Sequence, residues 1–247
     1  MAMRADLFPE MYRLEETYWW HVAKRRLVLT LLTPFLRNHA PGAFLDVGCG
    51  TGMMLKDLSA LGRVVGIDGT MDALRYSRQR GASCVILADC SRPFPIRSSA
   101  IHVVTMLDVL EHLDDDDLPI SEIHRLLRPS GMFVLTVPAY PFLWTYWDEI
   151  LGHKRRYRRS ALVKKLERNG FSVLRHSYFY SYLLPVAILF RVTKSLLGVN
   201  VKMRSDFIAL PRWLNRFLLS MSYLEQYATR FVRIPAGLSV ICVCKKI

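Results

Sequence analysis

Short apolar runs alternate with stretches of helical periodicity along this chain. Residues 6–37 place Leu14, Trp19, Val22, Leu27 and Leu31 at roughly helical spacing, which predicts a helix, and Pro41-Gly42 breaks it. Residues 43–47 read as a buried strand that runs into Gly48-Cys49-Gly50-Thr51-Gly52, with a helix expected to follow through about Leu61. Strands are predicted at 64–68 and 84–89, each ending on an acid, with a helix at 72–80 between them. A fourth strand falls at 101–107. A helix at 118–127 is stopped by Arg128-Pro129-Ser130-Gly131, and a fifth strand at 132–137 is closed by Pro138. Next comes a helix at 160–169, with Ser160 as its N-cap and Gly170 just past its end. A sixth strand is predicted at 171–178 and a last one at 238–244.

The intervening residues 179–237 hold two apolar runs. That at 182–190 is interrupted by Pro185 and cut off by Arg191 and Lys194, too short to span a membrane. That at 207–227 mixes Trp213, Leu214, Phe217, Leu218, Met221 and Leu224 with Arg212 and Arg216, an amphipathic pattern with Arg230 beyond it. Asp114 to Asp117 is expected to be a solvated loop and helix start. The alternation of strands with helices predicts a doubly wound, mostly parallel α/β sheet.

At 247 residues and 51% hydrophobic composition the chain can bury a sizeable core. Its five cysteines form no C-x-x-C pair and their odd number argues against a disulfide framework, so a reducing, cytoplasmic setting is expected. The first residues lack the charged-then-apolar pattern of a secretory signal. The net charge of +13 is uneven. Residues 1–140 hold 15 Lys and Arg against 16 Asp and Glu, whereas residues 141–247 hold 19 against 5. Such asymmetry implies an anionic partner for the C-terminal part: substrate phosphate, lipid headgroup or nucleic acid. Solubility is the plainer alternative.

The glycine-rich turn is the strongest chemical signal, because glycines let the backbone turn tightly against a ligand with a helix N-terminus aimed at it. Its G-x-G-x-G spacing departs from the dinucleotide fingerprint, in which the third glycine comes three residues after the second. The run Leu-Asp-Val-Gly-Cys-Gly-Thr-Gly at 45–52 resembles motif I of class I S-adenosylmethionine-dependent methyltransferases. The resemblance continues through Gly66-Ile-Asp68, Ala88-Asp89, Leu107-Asp-Val-Leu-Glu-His112 and Leu127-Arg-Pro-Ser-Gly131. It covers about residues 43–138 and is nearest the type-11-like branch of quinone and small-molecule methyltransferases.

This resemblance implies a Rossmann-like seven-stranded sheet with the last strand antiparallel. It also implies S-adenosylmethionine as cofactor, S-adenosylhomocysteine as product, and no metal. One domain is expected over 1–247: a helical N-terminal cap at 1–40, the core at 41–178 and 238–247, and a helical lid inserted at 179–237. By position, Gly48 and Gly50 would wrap the methionine moiety and Asp46 would orient their loop. Asp68 would accept from both ribose hydroxyls, which suits a carboxylate. Asp89, with Cys90 beside it, would reach the adenine amine, and Leu107 and Asp108 would face the methionine end. Trp20 and Arg25, in an aromatic-then-basic helix, would wall the cleft and pair with the methionine carboxylate. The competing reading of that helix is an amphipathic one whose tryptophans are core. His102 stands where the family often has Asp. No Asp/Asn-Pro-Pro-aromatic motif follows the fourth strand, which weakens an amine acceptor on a nucleic-acid base.

Methyl transfer from a sulfonium is mostly a matter of positioning, with a base helping a hydroxyl or acidic-carbon acceptor. His112 is one candidate base. The segment 138–157 follows the fifth strand, where this fold builds its site. Within it Asp148 and His153 form a candidate base and orienting partner. Tyr140, Trp144, Trp147 and Tyr157 would line the acceptor pocket, and Arg156, with Arg155 and Arg158, would hold phosphate or carboxylate. A solvated basic turn with structural aromatics is the competing reading. The expectation is an O- or C-methyltransferase of a hydrophobic or phosphate-bearing small molecule, such as a quinone or a lipid-linked or glycan-related acceptor. A peripheral position on the inner face of the membrane fits the basic, apolar 179–237. An RNA methyltransferase, or a non-catalytic cofactor-binding or membrane-docking protein, stands as the alternative.

Overall fold

The computed structural model describes residues 7–36, 42–197 and 210–247. Seven strands form one sheet: β1 (Ala43–Val47), β2 (Arg63–Asp68), β3 (Val85–Leu87), β4 (Ile101–Leu107), β5 (Leu127–Pro138), β6 (Phe171–Phe179) and β7 (Ser239–Lys246). Their order is β3-β2-β1-β4-β5-β7-β6. Pairs among β1 to β5 are parallel, and β7 runs antiparallel between β5 and β6. This is the Rossmann-like arrangement expected from the sequence.

The alternation of side chains along each strand feeds two cores. Leu45, Val47, Val104, Met106, Phe133 and Leu135 point to one face, with α5 (Asp117–Leu126) and α7 (Arg159–Arg168) packed over it. Phe44, Val103, Met132, Val134, Ile241 and Val243 point to the other, covered by α2 (Trp19–Leu36) and α3 (Met53–Ser59). The chain winds outward from β1 to β3 and then returns to β4, so the strand order reverses between β1 and β4. A crevice at the carboxyl ends of the strands is expected there.

Several boundaries differ from the sequence expectation. The single helix at 6–37 is two helices, α1 (Phe8–Leu14) and α2. Glu15 breaks them: its carboxylate accepts from the Thr51 hydroxyl, and its carbonyl accepts from Arg25 Nη1 at 2.5 Å. Helical periodicity cannot register that tertiary demand. Ser160 does not cap α7; the N-cap position is Arg158 and carries no side-chain cap, while Gly170 closes the end at φ +84°. Asp116 is not solvated: it is buried and accepts from Tyr157 Oη at 2.8 Å and Lys165 Nζ at 2.8 Å. The segment 138–157 contains a helix the sequence did not suggest, α6 (Tyr146–Leu151). Two further helices precede β7: α8 (Leu184–Leu197) and α9 (Arg212–Thr229). The start of the predicted apolar run at 207–227 lies outside the described residues. Among the described residues no helix is long and apolar enough to cross a membrane.

Candidate active site

The end of β1 turns through Gly48, Gly50 and Gly52 at φ of +72°, +53° and +88°. A Cβ at Gly48 would come within 2.2 Å of Val109 Cγ2, and one at Gly52 within 2.8 Å of the Ser77 backbone. Both positions therefore demand glycine for space as well as for dihedral angle. Asp68, at the end of β2, accepts the Gly50 N–H on Oδ2 at 3.0 Å and both Thr70 donors on Oδ1. Burial raises its carboxyl above the ordinary value. With a single hydrogen bond on Oδ2, the carboxylate keeps acceptor capacity toward the crevice. Asp46 is buried and accepts from Thr105 Oγ1 on β4 at 2.6 Å, and burial pushes its carboxyl up to about 7. Its place is the strand-to-strand tie beneath the loop.

Helix α1 lies over the turn. Arg80 donates to the carbonyls of Thr51 at 2.9 Å and Tyr12 at 2.6 Å, and Met11 Cε sits 2.9 Å from where a Gly50 Cβ would be. At the far end of the crevice Asp89 is exposed and turns onto Ser91 N at 2.9 Å, while Cys90 is buried in the core. Burial pushes the Cys90 thiol up to about 12, so it remains a neutral thiol.

At the end of β4, Leu107 is half-buried and Asp108 has φ +54°. Asp108 accepts from Thr136 Oγ1 at 2.8 Å and pairs with Lys24 of α2. Burial raises its carboxyl, but the Lys24 ammonium and these hydrogen bonds outweigh burial and hold it below the ordinary value. Arg25, the neighbouring cation, is occupied elsewhere, with Nε on Asp57 at 2.7 Å. Trp20 stacks on Tyr180 at 4.0 Å between centroids. The N-terminal helix thus brings Lys24, which sequence reasoning passed over, to the crevice, and commits Arg25 to α3.

Beside Asp108 a second cluster forms. His153 Nδ1 stands 2.8 Å from Asp148 Oδ1, which also accepts Arg156 Nε at 2.7 Å; Thr145 N and Oγ1 donate to Oδ2 at 2.7 and 3.0 Å. Burial raises the Asp148 carboxyl, but His153, Arg156 and Thr145 together hold it far below the usual carboxylate range. An ionised Asp148 requires His153 Nδ1 to be the donor. His153 Nε2 then points 3.9 Å from Oε1 of Glu111, a residue with no exposed surface. Neither Glu111 oxygen has a hydrogen bond among the described residues, and burial raises its carboxyl well above 4.5. His112 packs edge-on against His153 at 4.8 Å, and burial lowers it to about 4, so it is neutral near pH 7. Glu111, His112 and His153, and separately Asp115, Asp116 and Asp117, offer ligand atoms within 4.8 Å of one another.

The 138–157 loop is closed at its base. Tyr157 N donates to Pro138 O and Tyr140 N to Tyr157 O, both at 2.9 Å. The Tyr140 ring stacks on Tyr178 at 4.9 Å. Trp144 Nε1 reaches Glu149 Oε1 at 3.4 Å, and Trp147 Nε1 is buried without a hydrogen bond among the described residues. Tyr157 is core, its hydroxyl donating to Asp116, and Arg156 is engaged by Asp148 and the Ala139 carbonyl. The structure therefore joins Asp148 with His153 and places His112 against them. It buries Tyr157 in the core and engages Arg156 Nε with Asp148 and Nη1 with the Ala139 carbonyl. Glu111 had a sequence signal, its place in the Glu-His pair, but its burial had none.

A methyltransferase-domain family model (Methyltransf_11) matches residues 45–135. The chain is 29% identical over 164 residues to a probable S-adenosylmethionine-dependent methyltransferase of Mycolicibacterium smegmatis, covering 64% of this chain and 61% of that one. It is 28% identical over 130 residues to the ubiquinone biosynthesis O-methyltransferase of Idiomarina loihiensis, covering 46% of this chain and 52% of that one. The chain thus spans less than two thirds of the length of these curated relatives. In fold it is similar to the putative methyltransferase complexed with the Haloferax volcanii Trm112 activator: TM-score 0.63, 17% identity, 98% of this chain and 95% of that one. It is also similar to Haemonchus contortus phosphoethanolamine N-methyltransferase 2 with bound S-adenosylmethionine: TM-score 0.59, 16% identity, 90% of this chain and 52% of that one. The glycine cradle and the acceptor capacity of Asp68 fit that cofactor. Residues 45–135 thus match the methyltransferase domain, and the relatives and structural neighbours support a class I S-adenosylmethionine-dependent methyltransferase.

Proposed function

We propose that the protein transfers a methyl group to an oxygen, or an acidic carbon, of a hydrophobic or phosphate-bearing small molecule. The observation that carries this is His153, fixed by Asp148 at 2.8 Å beside the end of β4. The cofactor supplies an electrophilic methyl on a sulfonium. Gly48, Gly50 and Asp68 would hold it, with Lys24 and Asp108 toward its methionine end. His153 Nε2 would take the acceptor's proton as the acceptor lone pair bonds to the methyl carbon and the methyl–sulfur bond breaks, its electron pair leaving with S-adenosylhomocysteine, and Asp148 would stabilise the resulting imidazolium. Glu111, kept protonated by burial, adds no competing negative charge.

An apolar acceptor is supported by the mouth of the loop. Phe142 and Tyr146 are exposed there, and the Arg191 guanidinium of α8 donates to the carbonyls of Phe142, Leu143 and Trp144. This ties α8, with its exposed Val186, Leu189 and Phe190, to the acceptor side. The ubiquinone relatives make quinols the first acceptors to try.

The test is transfer of labelled methyl to a panel of quinols and lipid-phosphate acceptors, with wild type, His153→Asn and Asp148→Asn. The variants are expected to lose about 10²- to 10⁴-fold in kcat while S-adenosylhomocysteine affinity stays within about twofold of wild type. Wild-type rates in His153→Asn would remove His153 from the chemistry.

A further inference from the structure

Helix α9 carries two apolar faces. Trp213, Phe217, Leu224, Tyr227 and Phe231, spaced by four, seven, three and four residues, form a stripe that continues just past the helix end and faces solvent, with Trp213 70% and Phe231 72% exposed. On the face turned to the protein, Leu218 and Leu219 pack against the core beside two buried polar residues. Buried Ser222 meets Tyr182 Oη at 2.8 Å, and buried Gln226 donates Nε2 to the Ala23 carbonyl at 2.8 Å. An amphipathic helix of a globular protein ordinarily puts its apolar stripe inward. Here Leu218, Leu219 and these hydrogen bonds hold the inner face, and the outer stripe is a second apolar face turned to solvent.

The charge along this face has one sign. Arg212, Arg216, Arg230 and Arg233 are exposed, while the helix's sole acid, Glu225, turns inward to accept from Tyr180 N and Ser181 N, both at 2.7 Å. At the stripe's C-terminal end is a cavity of about 200 Å³ lined by Arg175, His176, Arg230, Phe231, Val232 and Arg233, among others. Arg175 Nη1 donates to the Arg230 carbonyl at 3.3 Å, joining the edge strand β6 to this segment. Burial, with Arg233 and Arg159 nearby, lowers His176, so the cavity's cations near pH 7 are its arginines. Aromatic side chains beside a phosphate-sized basic cavity match the interfacial layer of a bilayer, where Trp and Tyr sit at headgroup depth and arginine meets phosphate.

We infer that α9 and residues 230–233 dock the protein on an anionic phospholipid surface. The aromatic stripe enters the interfacial layer, and a headgroup phosphate occupies the cavity between Arg175, Arg230 and Arg233. The inference does not depend on which acceptor is methylated.

The test is flotation of the full chain with phosphatidylglycerol/phosphatidylcholine vesicles and with pure phosphatidylcholine vesicles. Variants are Arg230→Gln/Arg233→Gln and Trp213→Ser/Phe231→Ser. S-adenosylhomocysteine titration and light scattering run in parallel to report the cofactor site and the oligomeric state. Wild type is expected to float with the anionic vesicles, to remain largely free of the neutral ones, and to release as salt rises. The arginine variant should lose about thirtyfold in vesicle affinity, at about 1 kcal/mol per arginine. The aromatic variant should lose at least about tenfold. Both should bind S-adenosylhomocysteine as wild type does. Failure to float with anionic vesicles, or flotation indifferent to both variants, overturns the inference. So does binding of inorganic phosphate without vesicle binding. A wild-type dimer that the aromatic variant dissociates would make the stripe a contact between copies and overturn it as well.

Discussion

The buried proton of Glu111 should be visible in the pH dependence of stability, and Glu111→Gln should erase it. The side chain has no exposed surface, its oxygens have no hydrogen bonds among the described residues, and burial holds its carboxyl well above 4.5. In the unfolded chain the same group ionises at about 4.3. Below that pH both states are protonated and the site costs nothing. Above it the unfolded state releases a proton that the folded state keeps. Stability then falls by about 1.4 kcal/mol per pH unit until the folded-state pKa is reached, beyond which the penalty is constant. Over the two units from pH 5 to 7 this amounts to about 2–3 kcal/mol. Glutamine does not titrate, so the variant escapes the penalty. At about 2 °C per kcal/mol for a chain of this size, the Tm of Glu111→Gln relative to wild type should rise by about 5 °C between pH 5 and pH 7. Asp46, also raised by burial, titrates in both proteins and cancels. Differential scanning fluorimetry at constant ionic strength reads the difference. The offset at pH 5 reports how well the amide packs and decides nothing. Parallel Tm profiles would show that Glu111 is ionised throughout and would refute the burial argument.

Three other perturbations probe the cofactor crevice. Asp68→Ala removes the acceptor at the end of β2 and should weaken S-adenosylhomocysteine about 10- to 100-fold by calorimetry; an unchanged Kd would place the ribose elsewhere. Gly48→Ala puts a methyl 2.2 Å from Val109 Cγ2 at φ +72° and should cost about 1–3 kcal/mol in chemical denaturation. Val109→Ala added to it should recover part of that loss, and no recovery would assign the cost to the dihedral angle alone. Lys24→Met leaves Asp108 partly buried without its cation and should cost about 2–3 kcal/mol. With the cation gone, burial is left to raise the Asp108 carboxyl, so the stability that wild type keeps above the ordinary aspartate range is absent in the variant and the gap between the two should narrow as pH falls below that range. Superimposable acid-unfolding curves would contradict the pairing.

The cofactor half was legible because strand ends are fixed by local pattern. The strand and G-x-G-x-G run resemble the methyltransferase motif from which the roles of Gly48, Gly50 and Asp68 are carried over, and the apolar runs set the register of β1, β2 and β4. Where sequence reasoning chose Arg25 over Lys24, the two are adjacent on α2 and point to different partners. One residue of helical rotation, about 100°, separates the crevice from Asp57. Periodicity locates such a helix but not its rotation about its own axis when both faces carry apolar and basic residues.

The acceptor side obeys a different logic. The pair proposed there, Asp148 and His153, is held by contacts that no local pattern announces. The Asp148 and His153 side chains meet around the left-handed turn at Gly152, Arg156 reaches back to the same carboxylate, and Lys154 N donates to the Glu111 carbonyl at 2.7 Å. The last of these joins two segments more than 30 residues apart in sequence. A backbone hydrogen bond at that separation is invisible to spacing arguments, whereas the Asp-x-x-x-x-His pair is short enough to be proposed from sequence. It follows that the position of the base and the shape of the acceptor pocket are set separately. The Asp148–His153–Glu111 cluster follows β4 and β5, while Phe142 and Trp144 lie on loop backbone clamped by Arg191 of α8. Substitutions in that aromatic loop can change which molecule is presented without moving the base. The fold can therefore keep one proton acceptor and one cofactor site while its acceptor class diverges.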